Sequence, residues 1–151
     1  MKHLQIIYHT QSGSTRALAE AALKGALNEP EVEARLLPAM EAGVDDLLWA
    51  DALIFATPEY FGDMSGGLKD FFDRTFYAVE PQQLNLPYGV IISAGNDGSG
   101  ALRQLERIAK GYPLRCVAKP LIIPGKPSTP AFAQSEELGN ALAVGLSIGM
   151  Y

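Results

Sequence analysis

The sequence predicts a three-layer α/β/α sandwich built on a five-stranded parallel sheet. Three observations carry that reading. Short, mostly apolar runs recur five times along the chain, segments of helical period separate them, and the runs end in loops rich in glycine, serine and threonine. Regular alternation of strand and helix places helices on both faces of a parallel sheet, because crossover connections are right-handed.

Taken in order, Leu4-Gln5-Ile6-Ile7-Tyr8 is a first strand, and a helix is expected from Ser14 to about Asn28, with Leu18, Ala21, Ala22 and Ala26 on one face. Val32, Ala34 and Leu36 alternate with Glu33 and Arg35, the pattern of a half-exposed edge strand. A short helix near Val44–Trp49 leads into Ala52-Leu53-Ile54-Phe55-Ala56, which reads as a fully buried strand. Leu68, Phe71, Phe72, Thr75 and Phe76 keep helical spacing. Tyr88–Ser93 is the fourth strand, and Leu102, Leu105, Ile108 and Ala109 form the next helix face, stopped by Gly111. Cys116–Ile123 contains a fifth strand, bent or interrupted at Pro120. Residues 124–134 are expected to be a loop. A last helix follows, with Leu138, Ala141, Leu142 and Gly145 on its face and Glu136 and Glu137 at its N-terminus. No repeat, charge block or linker divides the chain, so residues 1–151 are expected to form one domain.

Composition narrows the function. The 151 residues carry a net charge of −5 and no clustered Lys/Arg stripe, which argues against a nucleic-acid partner. No apolar run approaches the roughly 20 residues of a membrane helix, and no signal-peptide pattern opens the chain, so no membrane association and a cytoplasmic location are expected. The single cysteine, Cys116, fits a reducing compartment and reads as a buried, inert thiol. Two histidines and one cysteine far apart give no metal-ligand spacing. His3 is expected to be solvated, His9 to be a hydrogen-bonded structural residue. The adjacent pairs Asp45-Asp46 and Glu136-Glu137 read as helix-start charges, and no catalytic acid/base dyad stands out.

In such a sheet a ligand sits beyond the carboxyl ends of the strands, at the switch point. Three loops meet there. After the first strand, Thr10-Gln11-Ser12-Gly13-Ser14-Thr15 offers hydroxyls, a flexible glycine and the free amides that open a helix. That combination binds one terminal phosphate through neutral donors and the helix dipole, or else it is a turn capped by Ser or Thr. It lacks the lysine of a nucleotide P-loop and the glycine pattern of a dinucleotide turn. After the third strand, Pro58-Glu59-Tyr60-Phe61-Gly62-Asp63 sets two aromatics in a glycine-bearing loop, where they either wall a flat ligand or plug the core. After the fourth, Ser93-Ala94-Gly95-Asn96-Asp97-Gly98 leaves room for a ring edge, or forms a flexible loop capped by Ser99.

Thr10-Gln11-Ser12-Gly13-Ser14-Thr15 resembles the Thr-x-Ser/Thr-Gly-x-Thr phosphate loop of flavodoxins. Trp49-Ala50-Asp51-Ala52 leading to Thr57-Pro58, then Phe61-Gly62-Asp63-Met64-Ser65-Gly66 and Phe71-Phe72-Asp73, resembles the WrbA-type NAD(P)H:quinone oxidoreductases. The resemblance covers most of the chain. It implies a flavodoxin-like sheet of order 2-1-3-4-5 and an FMN whose phosphate sits on residues 10–15. Its ring would lie between the 58–63 and 93–98 loops, with Tyr60 and Phe61 as stacking candidates. It further implies NAD(P)H as co-substrate and a small-molecule electron acceptor such as a quinone. The alternative is an electron carrier that docks Glu59, Asp63 and Asp97 onto a basic redox-partner protein. Glu59 is also placed to alter pyridine-nucleotide affinity, and a homo-oligomer fits the exposed flavin edge seen in related enzymes.

Overall fold

The computed structural model describes residues 1–151. In chain order the elements are β1 (Lys2–Tyr8), α1 (Ser14–Ala26), β2 (Val32–Pro38), α2 (Val44–Trp49), β3 (Ala52–Tyr60), β4 (Asp63–Met64) and α3 (Gly66–Val79). A 3-10 turn at Glu80–Gln82 leads to β5 (Leu86–Ala94), α4 (Ser99–Gly111), β6 (Leu114–Cys116), β7 (Leu121–Pro124) and α5 (Thr129–Ser147).

The strand order is β2-β1-β3-β5, with β6 and β7 both pairing β5 on its far side. These pairings are all parallel. Since β6 and β7 are the two halves of the fifth strand, the sheet has the expected 2-1-3-4-5 order. The break falls at residues 117–120, where Pro120 removes a ladder donor.

Side-chain alternation on the central strands feeds two cores. Leu53 and Phe55 of β3, with Tyr88, Val90 and Ile92 of β5, face α2, α3 and α4. Ile54 of β3 and Leu4, Ile6 and Tyr8 of β1 face α1 and α5. The first core is aromatic: Phe55 lies 5.0 Å from Phe72, which in turn meets Tyr112 edge-on at 5.5 Å. Pairs of this kind add about 0.5–1.5 kcal/mol each beyond their burial. Tyr112 keeps its hydroxyl satisfied on Thr75 at 2.8 Å and on the Phe72 carbonyl, and burial pushes that hydroxyl's pKa up to about 12.

The second core is closed by an unusually near approach of α1 and α5. Gly25 of α1 lies against the backbone of Glu136, and Gly139 of α5 lies against the backbone of Ala22. A Cβ at either glycine would run into a carbonyl oxygen.

Several expectations need correction. The first helix stops at Ala26, two residues early. Helix α5 begins at Thr129, so residues 129–134 are helical and only 125–128 form the loop. Pro130 is compatible with the helix because it lies in the first turn, where its missing N–H costs nothing. Glu136 and Glu137 therefore stand in mid-helix, where Glu136 pairs with Lys24 at 3.7 Å. Cys116 is exposed, because β6 is an edge strand with one face in water. His3 is only partly solvated: its ring stacks on Trp49 at 4.3 Å, and Arg35 lies 3.9 Å over the same indole. Asp46 does act at a helix start, accepting from the Gly43 amide at 2.8 Å.

Candidate functional site

The carboxyl ends of β1, β3, β5 and β7 meet along one edge of the sheet, and their loops surround a cleft of about 350 Å³. Ser12, Ser14, Pro58, Glu59, Tyr60, Ser93, Ala94 and Gly95 line it, all of them predicted, together with Gly125 and Lys126, which were not. A second cavity of about 270 Å³ adjoins it, between the first loop, Lys126 and Phe132. Sizes of this order suit cofactor clefts, typically about 300–1,000 Å³.

The first loop turns on Gly13, whose φ of 99° makes it the residue that starts α1. No side chain caps this helix, which removes the Ser/Thr-cap alternative. The first amide bonded back into the loop is that of Ala17, to the Gly13 carbonyl at 3.0 Å. Ser14, Thr15 and Arg16 thus begin the helix with amides that lack intrahelical acceptors, and the dipole adds roughly half a positive charge there. Thr10 braces the turn by accepting from the Gly13 amide at 2.9 Å. Thr15 is spent differently: its buried hydroxyl meets that of Ser93 at 2.7 Å and ties α1 to β5.

Beyond Ala56 the backbone does not become a loop at once. β3 continues to Tyr60 and folds back on β4, pairing Glu59 with Met64 and Tyr60 with Asp63. The turn between them is Phe61-Gly62, with φ of 53° and 74°. Two left-handed residues in succession are what a tight two-residue hairpin of the I′ kind requires. Glycine adopts that conformation freely, whereas phenylalanine holds it against strain. Phe61 is also fully exposed, so it neither plugs the core nor lines the cleft.

Alternation along β3 assigns its last side chains opposite duties. Thr57 is buried, accepts from the Ser65 amide at 3.0 Å and so anchors the start of α3, which Ser65 caps. Glu59 faces α4. Its carboxylate accepts from the amides of Gly98 (2.9 Å), Gly100 (3.0 Å) and Ala101 (3.1 Å). Those are the free donors of a helix that begins at Gly98 (φ 93°) with no local side-chain cap. Ser99 is not the cap; it is held by Asp97, whose Oδ2 accepts from its hydroxyl at 2.8 Å. Glu59 is therefore committed to three amides, which withdraws it as a tuner of pyridine-nucleotide affinity and as a docking acid. Gly62 presses its carbonyl on Gly100, where a Cβ would not fit, so the hairpin and α4 meet backbone to backbone. Tyr60 points the other way. Burial raises the pKa of its hydroxyl, and the nearby Gln11 amide counters part of that effect.

Ser93 and Ala94 belong to the end of β5, and the loop proper is Gly95-Asn96-Asp97. All three of those residues are exposed, as are Gln11, Ser12 and Gly13. Asp63 turns its carboxylate onto the Met64 amide at 2.6 Å. The fourth loop is fastened by the Gly125 amide, which donates to the Ala94 carbonyl at 2.8 Å. His9 packs its ring on Gly67, and its buried Nδ1 has no partner, so it is not the hydrogen-bonded residue expected. Gly125 and Lys126 were expected only as part of the 124–134 loop, which carries neither a phosphate-loop pattern nor an aromatic wall. The Pro-Gly-Lys-Pro run that opens it was the available signal.

The donor set suits FMN. An uncapped helix start with serine hydroxyls in the cleft accepts a phosphate, Tyr60 and Pro58 offer a flat wall, and a Cβ at Gly13 or Gly95 would meet nothing within 4 Å. Sheet order, switch-point cleft and phosphate-type loop together define a flavodoxin-like FMN flavoprotein. The chain belongs to the NADPH-dependent FMN reductase family, whose model matches residues 8–118.

Among individual proteins, it is 38% identical over 73 residues to a flavodoxin of Aquifex aeolicus, covering 48% of this chain and 40% of that one. It is 33% identical over 95 residues to an NAD(P)H dehydrogenase (quinone) of Acidithiobacillus ferrooxidans, covering 50% and 48%. The chain spans about half the length of these curated relatives or less. An archaeal flavodoxin superposes with a TM-score of 0.85 at 22% identity, covering 96% of this chain and 99% of the other. A WrbA-like flavodoxin from Agrobacterium tumefaciens gives 0.79 at 22% identity, with 95% and 96% covered. At that identity the two superpositions speak for the fold.

Proposed function

We propose that the protein is an FMN-dependent oxidoreductase that draws electrons from NAD(P)H and passes them to a quinone or a similar small acceptor. The observation that carries this reading is the uncapped start of α1, opening onto a cleft walled by Tyr60 and the end of β5. FMN, when bound, supplies two-electron acceptance and release. The chain does the rest. Amides of residues 14–16 and the Ser12 and Ser14 hydroxyls bind the phosphate, Pro58 and Tyr60 orient the ring, and the open backbone at Gly95 admits its edge. No free carboxylate lines the cleft, since Glu59 is engaged, and cofactor-borne chemistry needs no protein acid/base dyad. The family's description and the quinone-reducing relative support this direction of electron flow. An unpaired cysteine fits work in the cytoplasm.

A carrier that docks a basic redox protein is the second reading. It is favoured by the exposed Phe61, Asp63 and Asp97 around the hairpin and the third loop, and by the flavodoxin relative. Anaerobic addition of NADPH or NADH to the FMN-loaded protein separates the two. The oxidoreductase reading expects rapid loss of the oxidised flavin absorbance with either nucleotide. Absorbance that persists with both nucleotides, yet falls with dithionite, leaves the carrier.

A further inference from the structure

We infer that Lys126 is a specificity-determining residue at the phosphate end of the cleft, supplying the positive charge that makes the site prefer a phosphorylated flavin to its unphosphorylated form. This rests on the FMN reading above. Lys126 lines both cavities flanking the first loop, and Ser12 and Ser14 line both with it. It belongs to none of the chain's ion pairs. The other cation near the loop, Arg16, is taken by Glu20 at 2.9 Å.

The backbone around Lys126 is held in place. The Gly125 amide is bonded to Ala94 at 2.8 Å, and Pro127 restricts the residue before it to extended conformations. The lysine therefore projects from a fixed point on the fourth loop. The electrostatics give it a task. A phosphate monoester carries nearly two negative charges at neutral pH, whereas a helix start offers about half a positive one. A chain of net charge −5 adds no long-range attraction. A lysine is a flexible point charge suited to that deficit.

The test titrates wild-type protein, Lys126→Gln and Lys126→Arg with FMN and with riboflavin, at low and at physiological salt, following flavin fluorescence. The expected result is a Kd for FMN raised about tenfold in Lys126→Gln, equivalent to about 1.4 kcal/mol. Riboflavin affinity should be unchanged, Lys126→Arg should stay close to wild type, and the salt dependence of FMN binding should be shallower in the glutamine variant. An unchanged FMN affinity in Lys126→Gln, or an equal loss for riboflavin, overturns the assignment and leaves the FMN reading intact. So does an unchanged FMN Kd with a raised KM for NADPH, which would give the lysine to the nicotinamide nucleotide. Wild-type protein that binds neither flavin overturns both.

Discussion

Replacing Gly139 with alanine should destabilise the protein by about 2–3 kcal/mol, the cost of forcing an extra methyl into a packed contact. For a chain of this size that corresponds to a fall in Tm of roughly 5–10 °C. Helix propensity predicts the opposite, since alanine is favoured over glycine by about 1 kcal/mol in a helix interior. Geometry decides the sign. The α1 and α5 backbones touch at Ala22 and Gly139, with no space for a Cβ before the Ala22 carbonyl, and neither backbone can retreat without opening the core of Leu18, Leu138 and Leu142. Gly111→Ala is the control, because its Cβ would meet only the Phe76 ring at 3.9 Å. Equal Cm values for the two variants in urea would contradict the account of this crossing.

The second large effect belongs to Glu59. Glu59→Ala removes the acceptor for three amides and uncaps α4, so a loss of about 2 kcal/mol is expected, at the upper end of helix-cap substitutions. FMN affinity should fall with it by tenfold or more, about 1.4 kcal/mol, because the same carboxylate holds the Tyr60 hairpin against the third loop. Glu59→Gln should keep part of both, since one amide oxygen can still accept. Flavin titration and denaturant unfolding on the same preparations check this. Glu59→Ala protein with wild-type FMN affinity would show that the hairpin is set by its left-handed turn and the Gly62–Gly100 contact alone.

These two cases also show what the sequence made legible. Five apolar runs separated by helical periods defined the layers, because strands covered on both faces read as continuous apolar runs and helices keep a period of 3.6, while the strand order came from the resemblance to flavodoxins. The position of the cleft followed from topology. What stayed hidden was how the polar residues around it are spent. Thr15, Glu59 and Asp97 have the chemistry of ligands, yet each satisfies a protein group: a buried hydroxyl, the amides of α4, the side chain of Ser99. No local pattern announces a bond across 39 residues, such as the one from Gly98 to Glu59. Ser12, Ser14 and Tyr60 were legible as site residues because each follows the apolar run of a strand, at the carboxyl edge where this topology places a ligand. Pro130 and Pro120 illustrate the same limit on boundaries, one starting a helix and the other lying in the gap of a broken strand.

The central claim is that the four loops form an FMN site whose phosphate end is the uncapped start of α1. Titrating the purified protein with FMN and following the visible spectrum tests it most directly. The account predicts saturable binding of one FMN per chain, with the flavin band perturbed by its new surroundings, and clear weakening when Gly13, held at φ 99°, is replaced by a residue that strains the turn. A protein that stays colourless and leaves the spectrum of added FMN unchanged would contradict it.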